Sequence, residues 1–546
     1  MDRVVTVPCL LLATLAASGS IEAQGLVETA ELASPVGPGG GYFGSAVALA
    51  GDLALVGESN VPYPCSAAPS PTCEGRAHFF ELQPDGSWQG LQSLAYPYTG
   101  ASGESSPTEF GWSVALDPPY ALIGATGHGF LFEQGPGGAW SFVAKLTTTQ
   151  VSKRVSVALS GERALVGDWF GASQTQLFAG TALLYERQPD GSWVQVAALE
   201  AGDGDQHEQY GFSVALDGDI AVVGAPSADA GPSFTAGAAY VYEHQPDGSW
   251  LETQKLVAPD SAPFDRFGHA VALAGGRALI GSFTDDSPLG ADHGSAYVFE
   301  RQPGGSWSPV AKLLAADASS GDVFGSAVAL AGDRALIGAR GGDGAAPGSG
   351  AAYVFEREPG GAWVQVQKLA PAEGAQDDVF GTSVALAEER ALVGAQWHAG
   401  ALPLSGAAHE FRPGLEADLD AVSLQSGGTQ SLSLHGGLGQ GGKTYLLLGS
   451  LSGTAPGIPV DAVVLPLNLD AYLQLTLLQP GASPLSNPVG QLGPDAQAAA
   501  AVTVPAGTSP ALAGLTAHHA FLLLDFPGGP GSALYASNAV PLALVP

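Results

Sequence analysis

The chain is 546 residues long, 45 % apolar and only 13 % charged, yet its 52 acidic against 19 basic residues leave a net charge of −33. There is apolar material for more than one packed core. A surface this acidic repels phosphate backbones, which excludes nucleic acid as a partner and leaves cations and cationic surfaces as compatible ones.

At the N-terminus Arg3 is followed by an apolar run from Val4 to Ala17, with Cys9 inside it. Small residues then lead to Ile21-Glu22-Ala23, a cleavage site before Gln24. Residues 1–23 are therefore expected to be a signal peptide. The run is too short to span a bilayer, and no later stretch reaches about 18 uninterrupted apolar residues. The mature chain is expected to be exported (secreted, periplasmic or at the cell surface) with no membrane insertion after signal removal.

From Phe43 onward one phrase is said seven times. Its clearest copy is Phe324-Gly325-Ser326-Ala327-Val328-Ala329-Leu330, a short break, then Arg334-Ala335-Leu336-Ile337-Gly338-Ala339. It returns at Phe43, Phe110, Tyr210, Phe267 and Phe380, and in eroded form at Lys153; from Lys153 the starts lie 57, 57, 57 and 56 residues apart. Such a period means stacked or radial repeats. Each repeat carries four strand signals: Ser213 to Leu216, Ile220 to Gly224, Ala238 to Glu243, and Trp250 to Leu256 after the hairpin signal Asp247-Gly248. Seven such repeats predict a seven-bladed β-propeller. The seventh repeat, ending at Phe411, lacks its own fourth strand. Leu26 to Leu32 stands where one would sit, since Leu32 precedes Phe43 by the same 11 residues that separate Leu256 from Phe267. The N-terminal strand is thus expected to close the ring, and the propeller to span residues 24–413.

Within the first repeat, Cys65 and Cys73 sit in a Pro/Ser-rich loop, and in an exported chain they are expected to form a local disulfide. Residues 414–546 lose the repeat. Their short apolar runs, among them Ser431 to Leu434, Thr444 to Leu448, Leu473 to Leu478 and Ala520 to Asp525, predict a C-terminal β-sandwich-like domain.

The phrase Phe-Gly … Val-Gly-Ala-Pro, as in Tyr210-Gly211 with Gly224-Ala225-Pro226, resembles the FG-GAP repeat of integrin α-subunit propellers and their secreted bacterial relatives. The resemblance covers roughly residues 26–411. The C-terminal stretches Thr444 to Ser450 and Ala536 to Leu542 resemble a module found behind such propellers in secreted bacterial proteins. Integrin-type repeats often hold calcium in an Asp-rich loop between the first and second strands, but here that loop is cut to turns such as Gly218-Asp219 and Gly332-Asp333. One carboxylate cannot supply the six to eight oxygens calcium needs, so the family's calcium sites are not carried over.

A second acidic pattern repeats between blades: Asp203 and Glu208, Asp260 and Asp265, Asp317 and Asp322, Glu373 and Asp378. The structural reading is carboxylates accepting backbone N–H bonds in tight loops. The functional reading is calcium binding, best placed at Asp203, Asp205 and Glu208; no other cofactor is expected. His128, His207, His269, His293 and His398 lie on or beside loops of different repeats, and the repeated Trp88, Trp140, Trp193, Trp250, Trp307 and Trp363 read as packing residues. No nucleophile elbow, metal-ligand pair of histidines or phosphate loop is present. The long second-to-third and blade-to-blade loops share one end of the propeller, and that end, expected to be acidic, is where a ligand belongs. The chain therefore reads as an exported, non-enzymatic binding or adhesion protein that engages an extracellular protein or glycan there. The alternatives are a propeller hydrolase or lyase with acids and histidines at the channel mouth, and a structural cell-envelope component.

Overall fold

Small β-prone residues between tight turns fold each repeat as a four-stranded antiparallel sheet. In the computed structural model this is seen for the described residues, 25–35, 41–59, 75–97, 109–148, 154–171, 179–204, 207–230, 233–286, 291–387, 389–399, 405–460, 463–479, 484–525 and 532–546. The expected signal peptide, residues 1–23, and Cys65, Cys73 and Asp205 lie outside these residues. Seven sheets begin with the inner strands Phe43–Ala50, Ser113–Asp117, Ser156–Ser160, Ser213–Asp217, Phe267–Ala274, Phe324–Ala331 and Phe380–Ala387. Each inner strand packs beside the next, and the last beside the first, so the sheets close into a β-propeller. The seventh sheet runs, from outside in, Leu26–Leu32, Ala407–Pro413, Arg390–Ala395, Phe380–Ala387; its outer strand is the start of the described chain.

The two glycines of the phrase form the seam between consecutive sheets. A Cβ on Gly281 would lie 2.0 Å from the carbonyl oxygen of Gly325, the Phe-Gly glycine of the next repeat, which itself sits at φ +86°. The same contact joins Gly57 to Gly111, Gly224 to Gly268, Gly338 to Gly381 and, across the closure, Gly394 to Gly44. Ser213 Oγ donates to the Gly268 carbonyl and Ser383 Oγ to that of Gly44, both at 2.8 Å. Where the phrase is eroded and Arg154 stands for glycine, Gly124 instead faces the Val155 carbonyl at 2.9 Å.

The seam also carries aromatics. Phe267 and Phe324 are fully buried and meet Tyr297 and Tyr353 edge-on at 5.5 Å. All six repeated tryptophans pack into the apolar clusters of the sheets. At the short-turn end arginines link neighbouring sheets: Arg277 pairs with Glu300 of its own sheet and Asp333 of the next at 3.0 Å, and Arg390 of the seventh sheet reaches Asp52 of the first at 2.9 Å.

Contacts divide the chain into two compact units, Ala30–Glu410 and Phe411–Pro546, the latter taking the residues up to Thr29. In the second unit a four-stranded sheet (Leu415–Ala417, Gly428–His435, Gln497–Val504, Leu485–Ser486) faces a six-stranded one built on Thr516–Asp525, Thr444–Ser450 and Val540–Val545. Leu432, Leu434 and Val502 of one meet Leu447, Phe521 and Leu542 of the other in a common core, which Val27 also enters. One expected strand is corrected: Leu473 to Leu478 belongs to the helix Ala471–Leu478. Asp470 caps it by accepting the Leu473 N–H at 2.8 Å, and its other oxygen accepts the N–H groups of Leu451 and Ser452. That cap outweighs an apolar run too short to choose its own period.

Candidate functional site

The paired carboxylates between sheets do two different jobs. In three of the four pairs the second carboxylate closes its own loop, as the sequence suggests: Asp265 accepts the Ala262 N–H at 2.5 Å, Asp322 that of Ser319 and Asp378 that of Ala375, each at 2.7 Å. Burial pushes the Asp265 carboxyl up to about 6, against that N–H bond and helped by neighbouring Asp285. In three of the four pairs the first carboxylate reaches forward to the next sheet. Asp203 accepts from the Tyr240 hydroxyl at 2.9 Å and the Lys255 ammonium at 2.7 Å. Asp260 repeats this with Tyr297 and Lys312, both at 2.7 Å, and Asp317 with Tyr353 and Lys368. Burial works against the charge of Asp203, but Lys255 and Tyr240 outweigh it and hold the carboxyl below its ordinary range. The tyrosine and lysine of the clips recur 15 residues apart in three successive repeats.

This bears on the residues proposed to hold calcium. Asp203 has its oxygens on a lysine and a tyrosine, and Glu208 is buried beside the same Tyr240 ring, acting on it by charge. Asp205 is outside the described residues. Among the described residues no three His, Cys, Asp or Glu side chains are placed to hold a metal ion.

Two sheets replace the clip with histidine. In the first, His78 takes the tyrosine position and Ser93 the lysine position, with Ser93 Oγ at 2.8 Å from Nδ1 and Glu58 Oε2 at 2.7 Å from Nε2. The chain Ser–His–Glu has the composition of a nucleophilic triad. His78 is 0 % exposed, however, so it is a buried clip. In the seventh sheet His409 takes the tyrosine position and packs on Phe380 and on His398, whose Nδ1 faces Asp378 at 2.9 Å with Glu31 at 3.8 Å from Nε2. The other sequence-named histidines are dispersed: His293 is buried against the Gly294 carbonyl, His128 packs by Phe130, and His207 is exposed.

His269 is different. It is the third residue of its phrase, at the start of an inner strand and at the end of the ring that bears the long loops. The same position holds Ser45, Trp112, Val155, Phe212, Ser326 and Thr382 in the other repeats. Facing it, two residues beyond the second-strand glycine, stand Ser59, Thr126, Trp169, Pro226, Phe283, Arg340 and Gln396. The inner rim is therefore small and polar over sheets seven and one, and aromatic over sheets three to five. There the rings touch in sequence: Trp169 to Phe212 at 5.7 Å, Phe212 to His269 at 4.8 Å, His269 to Phe283 at 4.2 Å, all partly exposed. Beside this ledge Arg154 stacks on Trp112 at 3.7 Å while pairing with Glu109. Burial, with the charges of Arg340 and Arg266, pushes the His269 imidazole down to about 3, so it is neutral at pH 7. The acidic character expected of this end thus gives way at its inner rim to aromatic rings and arginines. Sequence reasoning missed the rim because it used the phrase as a ruler and passed over the position in it that varies most.

FG-GAP repeats match residues 193–242, 250–299, 307–355 and 363–411. No curated protein matches the chain significantly. Among solved structures, the Pseudomonas aeruginosa periplasmic gluconolactonase is 17 % identical, with 61 % of this chain and 87 % of that one covered and a TM-score of 0.39. A Lactobacillus plantarum protein is 13 % identical over 60 % and 86 % of the two chains, with a TM-score of 0.38, and a Desulfotomaculum acetoxidans protein of unknown function is 12 % identical over 59 % and 86 %, at 0.39. The sequence expectation that the chain is not an enzyme is corrected by the first of these, since an enzyme stands among the structures similar to it. Missing nucleophile and metal motifs had carried that expectation, and a propeller can assemble a site from single residues of many loops. Among the described residues no helix is long and apolar enough to cross a membrane.

Proposed function

We propose that this FG-GAP β-propeller is exported and binds carbohydrate at the inner rim of its loop-bearing end. The observation that carries the reading is the run of touching rings Trp169–Phe212–His269–Phe283, at scaffold positions that other repeats fill with serine, threonine or proline. Nothing in the packing of a sheet asks for these rings, because the repeats without them close equally well. Partly exposed rings give an apolar face with polar edges, which suits the C–H face and hydroxyl rim of a sugar. Export rests on the Val4 to Ala17 run and its cleavage site.

The test is a glycan array probed with residues 24–546 and with the double variant Trp169→Ala/Phe212→Ala. Specific glycan binding that the double variant loses by tenfold or more supports the reading. Binding of no glycan, or binding the double variant keeps, overturns it.

A protein partner at the same end is the second reading. Phe234 and Phe264, 70 % and 63 % exposed, stand on loops joined by the Ser233 hydroxyl and the Ser261 carbonyl at 3.3 Å. Phe264 holds φ +74°, a conformation that bulky side chains rarely adopt.

A further inference from the structure

Resting on that carbohydrate reading, we infer that the rim selects a saccharide carrying a single carboxylate, held by Arg340 with Arg266 beside it. In a chain with 52 acids and 19 basic side chains, a guanidinium should find a carboxylate easily. At the short-turn end they do: Arg163, Arg277, Arg301, Arg334, Arg357 and Arg390 each meet Asp or Glu. Arg340 meets none among the described residues, and Arg266 is bonded only to the Ser227 hydroxyl, at 3.1 Å. Arg266 lies at the aromatic ledge, where its carbonyl accepts the His269 N–H at 3.2 Å, and the charges of both arginines act on that imidazole.

Position makes the contrast sharper. Arg340 occupies in the sixth sheet the place that Trp169 and Phe283 occupy in the third and fifth. Its guanidinium is partly buried, and burial alone lowers its pKa, the mark of a charge without compensation. A planar carboxylate supplies that compensation in two parallel N–H···O bonds. His269 stays neutral at pH 7, so the positive charge of the ledge is fixed in the arginines. The net charge of −33 sets the size of the ligand's own charge: a polyanion is repelled by the surface as a whole, whereas one carboxylate responds mainly to the local field. The ligand class is accordingly a neutral glycan ending in, or interrupted by, one uronate-type sugar.

The experiment compares acidic glycans from the array with their methyl esters, by calorimetry, on the wild type, Arg340→Ala, Arg340→Lys and Arg266→Ala. We expect esterification to weaken wild-type binding by about ten- to a hundredfold. Arg340→Ala should bind acid and ester alike, at the wild type's affinity for the ester. Arg340→Lys should recover part of the preference. Equal binding of neutral and acidic glycans by the wild type overturns this inference and leaves carbohydrate binding standing, as does an acid preference that survives both alanine substitutions. Absence of any glycan binding removes the carbohydrate reading itself. Unchanged melting of the variants separates loss of the site from loss of the fold.

Discussion

Lys312→Met against Lys255→Met tests how the clips stabilise the propeller. The two lysines sit alike, each with its ammonium 5.2 Å from a tyrosine ring centre and 2.7 Å from the first aspartate of a pair. Methionine keeps most of the stem in both, so lost packing cancels in the comparison. What differs is Asp285. It is 3 % exposed, lies 2.7 Å from Lys312, and is shared with the Tyr297 and Ser295 hydroxyls; Ala228 stands in its place in the Lys255 clip. Burial opposes the Lys312 charge, but Asp260 and Asp285 outweigh it and raise its pKa. Removing Lys312 strands a buried carboxylate next to Asp260, a change of about 3 kcal/mol. Removing Lys255 breaks a pair whose Asp203 side chain is 56 % exposed, at about 0.5 kcal/mol. Because the chain has two units, one melting curve mixes transitions. Hydrogen exchange on the strands Ser295–Arg301 and Ala238–His244 isolates each clip. Protection should fall about a hundredfold for Lys312→Met and about twofold for Lys255→Met, and Asp285→Asn should rescue most of the former. Equal losses in the two variants, or a double variant no better than Lys312→Met, refute the reasoning.

Gly281→Ala places a Cβ 2.0 Å from the Gly325 carbonyl and should destabilise the propeller by about 3 kcal/mol, measured by urea unfolding; a midpoint within error of wild type removes the seam argument. Deleting residues 24–34 takes the outer strand from the seventh sheet and should raise exchange throughout Ala407–Pro413, so unchanged protection there counts against closure by the N-terminal strand. His269 and Asp265 make opposite demands on acidification. Neutral His269, pushed down to about 3 from an ordinary 6.5, contributes stability that is present above pH 6.5 and lost toward pH 3, at no more than about 1.4 kcal/mol per unit. Asp265, pushed up to about 6, contributes stability that is present below pH 3.8 and lost as pH rises through 6. His269→Gln removes only the first, so the variant's stability relative to wild type should improve from pH 6.5 to 4, and parallel curves refute the neutral imidazole. Arg390→Ala, facing the 69 % exposed Asp52, should cost under about 1 kcal/mol and less still in 1 M salt, read from the propeller transition in calorimetry.

Much of the propeller was legible because its seam is written in residues that allow no alternative. Gly281 and Gly325 meet backbone to backbone, so the phrase that names the repeat is also the surface between repeats, and its spacing counts the sheets. The clips were half legible. Asp265, Asp322 and Asp378 close their own loops three residues away, a local event that local sequence predicts. Asp260 meets a tyrosine 37 residues on and a lysine 52 residues on, and nothing near Asp260 announces either. The helix Ala471–Leu478 was misread as strand because its deciding group, the Asp470 side chain, also ties down Leu451 and Ser452 from elsewhere in the chain.

By itself, then, the sequence determined the repeat, its four-strand unit and the supply of an outer strand from the N-terminus, since these follow from periodicity, turn chemistry and the steric limits of glycine. Only the tertiary structure decided which side chains share a place. Trp169, Phe212, His269 and Phe283 span 115 residues of chain, yet their rings lie within 6 Å of one another in succession, because ring closure brings the same position of successive repeats to one rim. A period shows that positions are equivalent. Their convergence depends on the radius and direction of the stack, which arise from long-range packing that no local stretch of residues encodes.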